Sequence, residues 1–375
     1  MHILIAPNSF KNSIDAKNAA NAIKEGLLQS KLDCICECFP VADGGDGTAT
    51  LLVEKLNGTI IHTNVHDPLS RMIDAPFGLI DNGKTAMIEL ADASGLKLLQ
   101  PSEYNPLRAT TFGTGEMILH AVEKGVTKII IGIGGSATVD GATGILKALG
   151  ARFYDANKNE LQQLPEQLIH LSFVDTSNID KRIFNTEIVL LCDVKNFLLG
   201  ENGAASVFGP QKGATKEDIN KLEAALTKWC NVTLKETGKD MSMIEHGGAA
   251  GGVAVGLAAY LNAKLVNGID YFLQLTDFDA ALQNADIVIT GEGSIDEQTL
   301  HGKAPFGIAC KAKEKNILVI ALAGRVPLQS SPELKKYFDV LLPINNGPSE
   351  NFLSQTTENL IRTAIELGNL LAIKL

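Results

Sequence analysis

The sequence predicts an α/β protein in which a Rossmann-like parallel-sheet domain carries a second α/β domain, with a mixed sheet, inserted into it. Three observations predict this. Short β-branched runs that end in glycine-rich polar loops and lead into helical patterns recur at both ends of the chain. Between them, from about Thr59, the pattern changes to alternating runs separated by Asp-Pro and Asn-Gly turns, the signature of hairpins. The 375 residues also exceed the length at which a single core stops growing. The expected boundaries are 1–63 with 283–375 for the outer domain and 64–282 for the insertion, with the active cleft between the two.

Composition narrows the function. With 45% hydrophobic residues and a net charge of -10, the chain offers no basic footprint for nucleic acid or for an anionic membrane surface. Its longest apolar run, Ala249 to Leu261, is broken by glycines and falls short of the ~18 residues a spanning helix needs. Met1 to Pro7 lacks a basic segment and reaches proline too early for a signal peptide, so a cytoplasmic protein is expected. Cys34, Cys36 and Cys38 alternate along a strand and line one face rather than converging on a metal, so they read as small core hydrophobes.

In chain order, Ile3 to Ala6 reads as a buried strand and Pro7 to Lys11 as the loop leaving it. Asn12 and Ser13 offer caps to a helix patterned by Ala16, Ala19, Ala20, Ile23 and Leu27. A second strand, Cys34 to Val41, runs into Ala42-Asp43-Gly44-Gly45-Asp46-Gly47-Thr48, and Ala49 to Leu56 is helical. Asp43 and Asp46 among these glycines suit magnesium ligation or substrate contact, with helix capping the alternative for Asp46. Gly78 to Thr85 matches the P-loop pattern letter for letter, but Ala86 to Leu90 continues as a strand, so Asp81-Asn82-Gly83 reads as a hairpin turn.

Thr110 to Glu123 contains a helix, and Lys128 to Gly132 is a strand that opens Gly132-Ile133-Gly134-Gly135-Ser136-Ala137-Thr138-Val139-Asp140-Gly141. Gly132, Gly134 and Ala137, with Asp155 downstream, fit a dinucleotide fingerprint, which makes an NAD-linked oxidoreductase acting on a small hydroxy acid the competing reading. Two features weigh against it: the next helix starts late, near Asp140, and an aspartate there would repel a pyrophosphate. Hydroxyls, bare amides and Asp140 suit a loop for phosphate and magnesium better. Ile188 to Cys192 is a buried strand delivering Asp193 and Asn196. Lys212, between glycines, reads first as a solvated charge, with a phosphate contact as the alternative. Thr215 caps a long helix with Trp229 in the core, and Gly247 to Gly252 reads mainly as a packing segment.

Asp286 to Thr290 is a strand expected to stop in the loop Gly291-Glu292-Gly293, with Ser294, Asp296, Glu297, Gln298, Thr299 and Lys303 behind it. Such a crowd at the carboxyl end of a parallel strand marks a ligand site. Strands at 315–322 and 338–342, a loop at Asn345-Asn346-Gly347 and a helix at 358–372 close the chain. With no histidine pair and no catalytic cysteine, and His301 alone, these loops hold the parts for phosphoryl transfer: acids for a divalent ion, amides and lysines for phosphates, and an aspartate for the substrate proton.

Asn8-Ser9-Phe10-Lys11, Val41 to Thr48, Gly132 to Gly141, Cys192 to Val194 with Asn196, Phe208 to Thr215, Gly248 to Gly252 and Ile289 to Lys303 together resemble the bacterial glycerate kinase family over almost the whole chain. The resemblance implies ATP-dependent, magnesium-assisted phosphorylation of D-glycerate, with 2-phosphoglycerate as the favoured product, in a two-domain α/β protein. It departs at Ser294, where the family block has arginine, at Val139 for asparagine, at Asn8 for aspartate and at Phe197 for proline. Serine cannot replace a bidentate guanidinium, so either another cation, Lys11, Lys212 or Lys303, covers that role or the substrate choice has drifted. On this reading Asp193 takes the glycerate proton, with Asp296 the competing base and Lys11 a further catalytic group. Asp43, Asp46 and Glu292 hold magnesium. Gly134, Gly135, Ser136, Thr138, Lys212, Gly291, Gly293 and Lys303 cradle the nucleotide phosphates. Asn8, Ser9, Asn196 and either Arg71 or Lys11 bind glycerate.

Overall fold

The structure, a computed structural model, describes residues 1–11, 13–45, 47–345 and 354–373. Its strands are β1 (His2–Pro7), β2 (Ile35–Cys38), β3 (Thr59–His66), β4 (Met72–Ile80), β5 (Thr85–Glu89), β6 (Lys128–Gly132), β7 (Arg152–Tyr154), β8 (Phe173–Asp175), β9 (Glu187–Cys192), β10 (Lys264–Asn267), β11 (Ile287–Ser294), β12 (Leu318–Arg325) and β13 (Val340–Pro343). The chain divides into two compact units, 1–43 with 269–375, and 44–268. Sequence reasoning put the limits at 63/64 and 282/283. The difference arises because β3 pairs along its whole length with β4, which draws residues 44–63 into the second unit.

The first unit is a five-stranded, wholly parallel sheet in the order β13-β12-β11-β1-β2. Alternate residues feed its two faces. Ile3, Ile5, Ile287, Ile289, Ile320 and Leu322 meet the helices Ala16–Gln29 and Thr356–Leu371, while the helix Ala304–Glu314 packs against β11 and β12. The first helix is capped by Asp15, whose side chain accepts from the Asn18 N–H, rather than by Ser13; Asn12 lies outside the described residues. The alternating cysteines pack against this core, with Cys34 Sγ 3.6 Å from Cys36 Sγ.

The strand before the glycines does not stop at Gly291. β11 runs on to Ser294 because Glu292 and Ser294 stay in register with Ala323 and Arg325 of β12. Glycine is needed at 291 for close approach: a Cβ there would stand 2.1 Å from the Leu322 carbonyl oxygen.

The second unit is a mixed six-stranded sheet, β10-β9-β6-β5-β4-β3, parallel from β10 to β5 and antiparallel through β4 and β3. β7 and β8 form a separate ribbon. The P-loop match lies across a hairpin: Gly78 is in β4, Asp81–Gly83 is the turn and Thr85 opens β5. The core gathers Ile129, Ile131, Ile188 and Leu190 against the helices Phe112–Glu123, Thr143–Ala148, Lys216–Thr237 and Val253–Leu261. Trp229 is fully buried in it, stacked 5.1 Å from Tyr260, and its indole donates to the Gly141 carbonyl at 3.1 Å. Among the described residues no helix is long and apolar enough to cross a membrane.

Candidate active site

In the first unit, polar groups collect where the parallel strands β1 and β11 end. The backbone N–H of Asn8, one residue past β1, donates to the Gly291 carbonyl at 2.8 Å, which fixes the loop to β11. The Asn8 amide then donates to Asp43 Oδ2 at 3.1 Å, and the Ala304 N–H, at the start of the helix Ala304–Glu314, donates to the same oxygen at 3.3 Å. A carboxylate at a helix amino end is favourably placed, since the unsatisfied N–H groups there carry partial positive charge. Next to Asn8, Ser9 is half-buried, and Lys11 is exposed.

Glu292 is buried on β11. Its Oε1 accepts from the Thr299 hydroxyl at 3.2 Å and lies 3.9 Å from Lys303 Nζ. Burial pushes its carboxyl up to about 7, against the pull of Lys303 and with a further push from Asp43 and Asp296. Thr299 is placed by Asp296, whose backbone N–H donates to its hydroxyl at 3.1 Å while the Asp296 carboxylate caps the turn by accepting from the Gln298 N–H at 2.9 Å. Asp43, Glu292, Asp296 and Lys303, expected from separate stretches, are thus electrostatic neighbours. Gly293 leaves room beside them, the nearest atom to a Cβ there being the Lys11 backbone nitrogen at 3.7 Å. Asp46 lies outside the described residues, among which no group of three or more His, Cys, Asp or Glu side chains could hold a metal ion.

In the second unit the segment after β6 forms a compact loop. The Gly134 N–H donates to the Gly44 carbonyl, and the Gly141 N–H to the Gly251 carbonyl. Gly251 must be small, because a Cβ there would stand 2.2 Å from the Thr138 carbonyl oxygen. Gly247 to Gly252 is therefore chiefly packing, as its composition indicated. Lys212 is not a solvated charge. It is 2% exposed, and its ammonium donates at 2.7 Å to both the Ser136 hydroxyl and the Thr138 carbonyl. Burial lowers its pKa to about 7, opposed by the charge of Asp140. The Thr138 hydroxyl is buried beside it and has no hydrogen-bond partner among the described residues. Gly135, the residue before Ser136, turns the chain with φ of 71°.

Asp140, expected to face phosphate and magnesium, is instead enclosed. It accepts from the Thr111 N–H and hydroxyl, both at 2.8 Å, and from the Gly144 and Ala142 N–H groups at 3.2 Å. It fastens the far end of the loop to the start of the helix Phe112–Glu123. Glu89, which sequence reasoning missed, does the same for the Asp43–Gly47 loop. Its buried carboxylate accepts from the Gly47 and Ala49 N–H groups at 3.0 and 2.8 Å, and burial raises its pKa to about 7. The only signal for it was a lone acid closing the hydrophobic run of β5.

Asp193 follows β9 directly and is partly exposed, and Asn196 donates to the Asn202 carbonyl at 2.8 Å. Arg71 is already engaged, by Asp67 at 2.5 Å and Glu103 at 2.6 Å, which leaves little of its guanidinium for glycerate. Asp155 does not sit as a ribose-binding acid. It accepts from Asn157 and Asn159 in an exposed turn after β7, a strand of the separate ribbon, whereas the parallel neighbours of β6 are β5 and β9.

The chain has close relatives. The chain is 42% identical over 370 residues to a glycerate kinase of Bacillus subtilis (strain 168), covering 98% of this chain and 97% of that one. It is 40% identical over 377 residues to the glycerate 2-kinase of Escherichia coli (strain K12), covering 100% and 98%. A crystal structure of a Salmonella typhimurium LT2 protein described as a glycerate kinase 2 superposes with a TM-score of 0.83 at 42% identity, covering 99% of this chain and 98% of that one. Since the sequence pattern of the glycerate kinase family also matches residues 3–372, the chain belongs to that family.

Proposed function

We propose that this protein is a cytoplasmic kinase that transfers the ATP γ-phosphate to a hydroxyl of D-glycerate, giving 2-phosphoglycerate. The observation that carries this is the loop after β6, where the buried Lys212 ammonium donates to the Ser136 hydroxyl and the Thr138 carbonyl and the buried Thr138 hydroxyl has no hydrogen-bond partner among the described residues. Such a donor set suits phosphate oxygens. The family membership and the names of the relatives support the same reading.

The roles follow the chemistry of each group. Gly134, Gly135, Ser136, Thr138 and Lys212 of the second unit, and Gly291, Gly293 and Lys303 of the first, are the proposed contacts to nucleotide phosphates. Asp193 accepts the proton of the attacking hydroxyl, with Asp296 its competitor. Lys11, exposed and beside Gly293, is a better partner for the glycerate carboxylate than the engaged Arg71, and doubles as a catalytic cation, while Asn8, Ser9 and Asn196 orient the substrate.

Asp43 and Glu292 fit magnesium, because burial and the nearby charge of Asp43 make Glu292 costly to ionise, which a divalent cation relieves, and magnesium needs only one or two protein carboxylates beside phosphate and water. When bound, it would neutralise charge on the transferring phosphates. Asp46 is proposed as a third ligand.

The direct test is a coupled assay with D-glycerate, ATP and magnesium, the product identified by phosphorus NMR. The 2-phosphate resonance is expected. Lack of ATP turnover, or turnover only with added NAD, overturns the proposal.

A further inference from the structure

The second unit holds a cavity of about 510 Å³ that no residue of the proposed nucleotide or glycerate sets lines. This volume falls within the range of small-ligand pockets. Its apolar wall is Leu107, Phe112 and Leu164, and its polar wall includes the hydroxyls of Ser70 and Thr110. Two cations reach it. Arg108 is exposed, and among the described residues Lys147 donates only to the neutral Gln162, to its carbonyl at 3.2 Å and its side-chain oxygen at 3.3 Å. Of the other titratable lining groups, His66 is already paired with Glu116 at 2.9 Å, and Glu166 is the one carboxylate.

We propose that this cavity binds a small phosphorylated metabolite, its phosphate on Arg108 and Lys147 and its carbon skeleton against Leu107, Phe112 and Leu164. Two cations unmatched by acidic partners favour an anion, and the apolar wall favours one larger than phosphate itself. The cavity is also wired to the loop after β6. Thr110 and Phe112 flank Thr111, and Thr111 and the lining residue Gly144 both donate to Asp140, which fastens that loop. Gly141, the next residue, accepts from Trp229. Occupancy therefore steadies the Thr111–Asp140 contact and, where that loop is the nucleotide loop as proposed above, tightens ATP binding; by linkage ATP tightens the metabolite to the same degree.

Ribose 5-phosphate is the probe, titrated into the full-length protein by calorimetry with inorganic phosphate as comparison. One site is expected, about tenfold tighter for the sugar phosphate, whose sugar adds C–H contacts to the apolar wall and hydrogen bonds to Ser70 and Thr110. The Arg108→Ala/Lys147→Ala variant, altered outside the catalytic set, is expected to keep basal activity and to lose affinity at least about tenfold. Emission of Trp229, the single tryptophan, should change with the same saturation curve. Absence of binding, or unchanged affinity in the double variant, overturns the site. Binding lost in Ser136→Ala instead places the probe in the nucleotide loop and also overturns it. None of these outcomes touches the kinase reading, which the coupled assay decides alone.

Discussion

Lys212 is the residue at which structure and reactivity are most tightly joined. Its ammonium is surrounded by neutral acceptors, and burial lowers its pKa from 10.5 to about 7. The sign of the stability effect follows from proton counting. Between about 7 and 10.5 the unfolded chain holds a proton that the folded chain has released, so stability rises with pH across that window and is lowest below it. Lys212→Met has no such dependence. The wild type should therefore gain melting temperature relative to this variant between about pH 6 and about pH 9, and parallel curves would mean that the lysine is not held as described. The same substitution removes a phosphate donor, so kcat/KM for ATP should fall by ~100-fold at pH 7. Glu292 gives a second prediction. Glu292→Gln keeps the shape and the acceptor for Thr299 but removes the charge a divalent ion needs, so the magnesium concentration for half-maximal rate should rise by about 10–100-fold. Unchanged half-saturation would remove Glu292 from the metal set.

At the scale of elements, the loops are held by buried acids at their ends. Glu89 closes β5 and satisfies two N–H groups at the start of the helix Thr48–Lys55, whose own N-cap, Gly47, has no side chain to do so. Glu89→Ala leaves the buried Ala49 N–H without its acceptor and hands the exposed Gly47 N–H to water. A loss of roughly 1–3 kcal/mol in urea unfolding is expected, together with a weakened magnesium response, because the same loop carries Asp46. Glu89→Gln keeps one acceptor and should recover part of the loss; equal effects in both variants would mean that the contact contributes packing alone. Elements also explain what could be read from sequence. The strands β1, β6, β9 and β11 announce themselves by β-branched runs, since burial on both faces selects them. The continuation of β11 through Gly291 and Gly293 does not, because glycine usually weakens a strand, and only pairing with β12 reveals that these positions admit a close neighbour.

Across the whole molecule, the legible features are those in which neighbours in sequence act together: the glycine loops, the hairpins, the Thr215 cap and the blocks from Asn8 to Lys303 that carry the family resemblance. What stayed hidden depends on distant segments. Lys212 looks like a surface charge until Ser136 and Thr138 close over it, and Asp140 looks like a ligand for magnesium until Thr111 and Gly144 surround it. The domain limit at 43/44 was equally invisible, because β3 is drawn into the second unit by β4 and not by any break in its own composition. The long-range tie from Trp229 to Gly141 provides a test of the nucleotide assignment without any assay of turnover. Because Trp229 is the single tryptophan and is buried in the second unit, its emission follows the unfolding of that unit in urea. A ligand that binds only the folded unit stabilises it by RT ln(1 + [L]/Kd), about 2.7 kcal/mol at a hundredfold excess over Kd. ATP should therefore raise the urea midpoint reported by Trp229, and Ser136→Ala should shrink that rise. A midpoint that does not move at saturating ATP would show that the loop from Gly134 to Thr138 is not where the nucleotide binds.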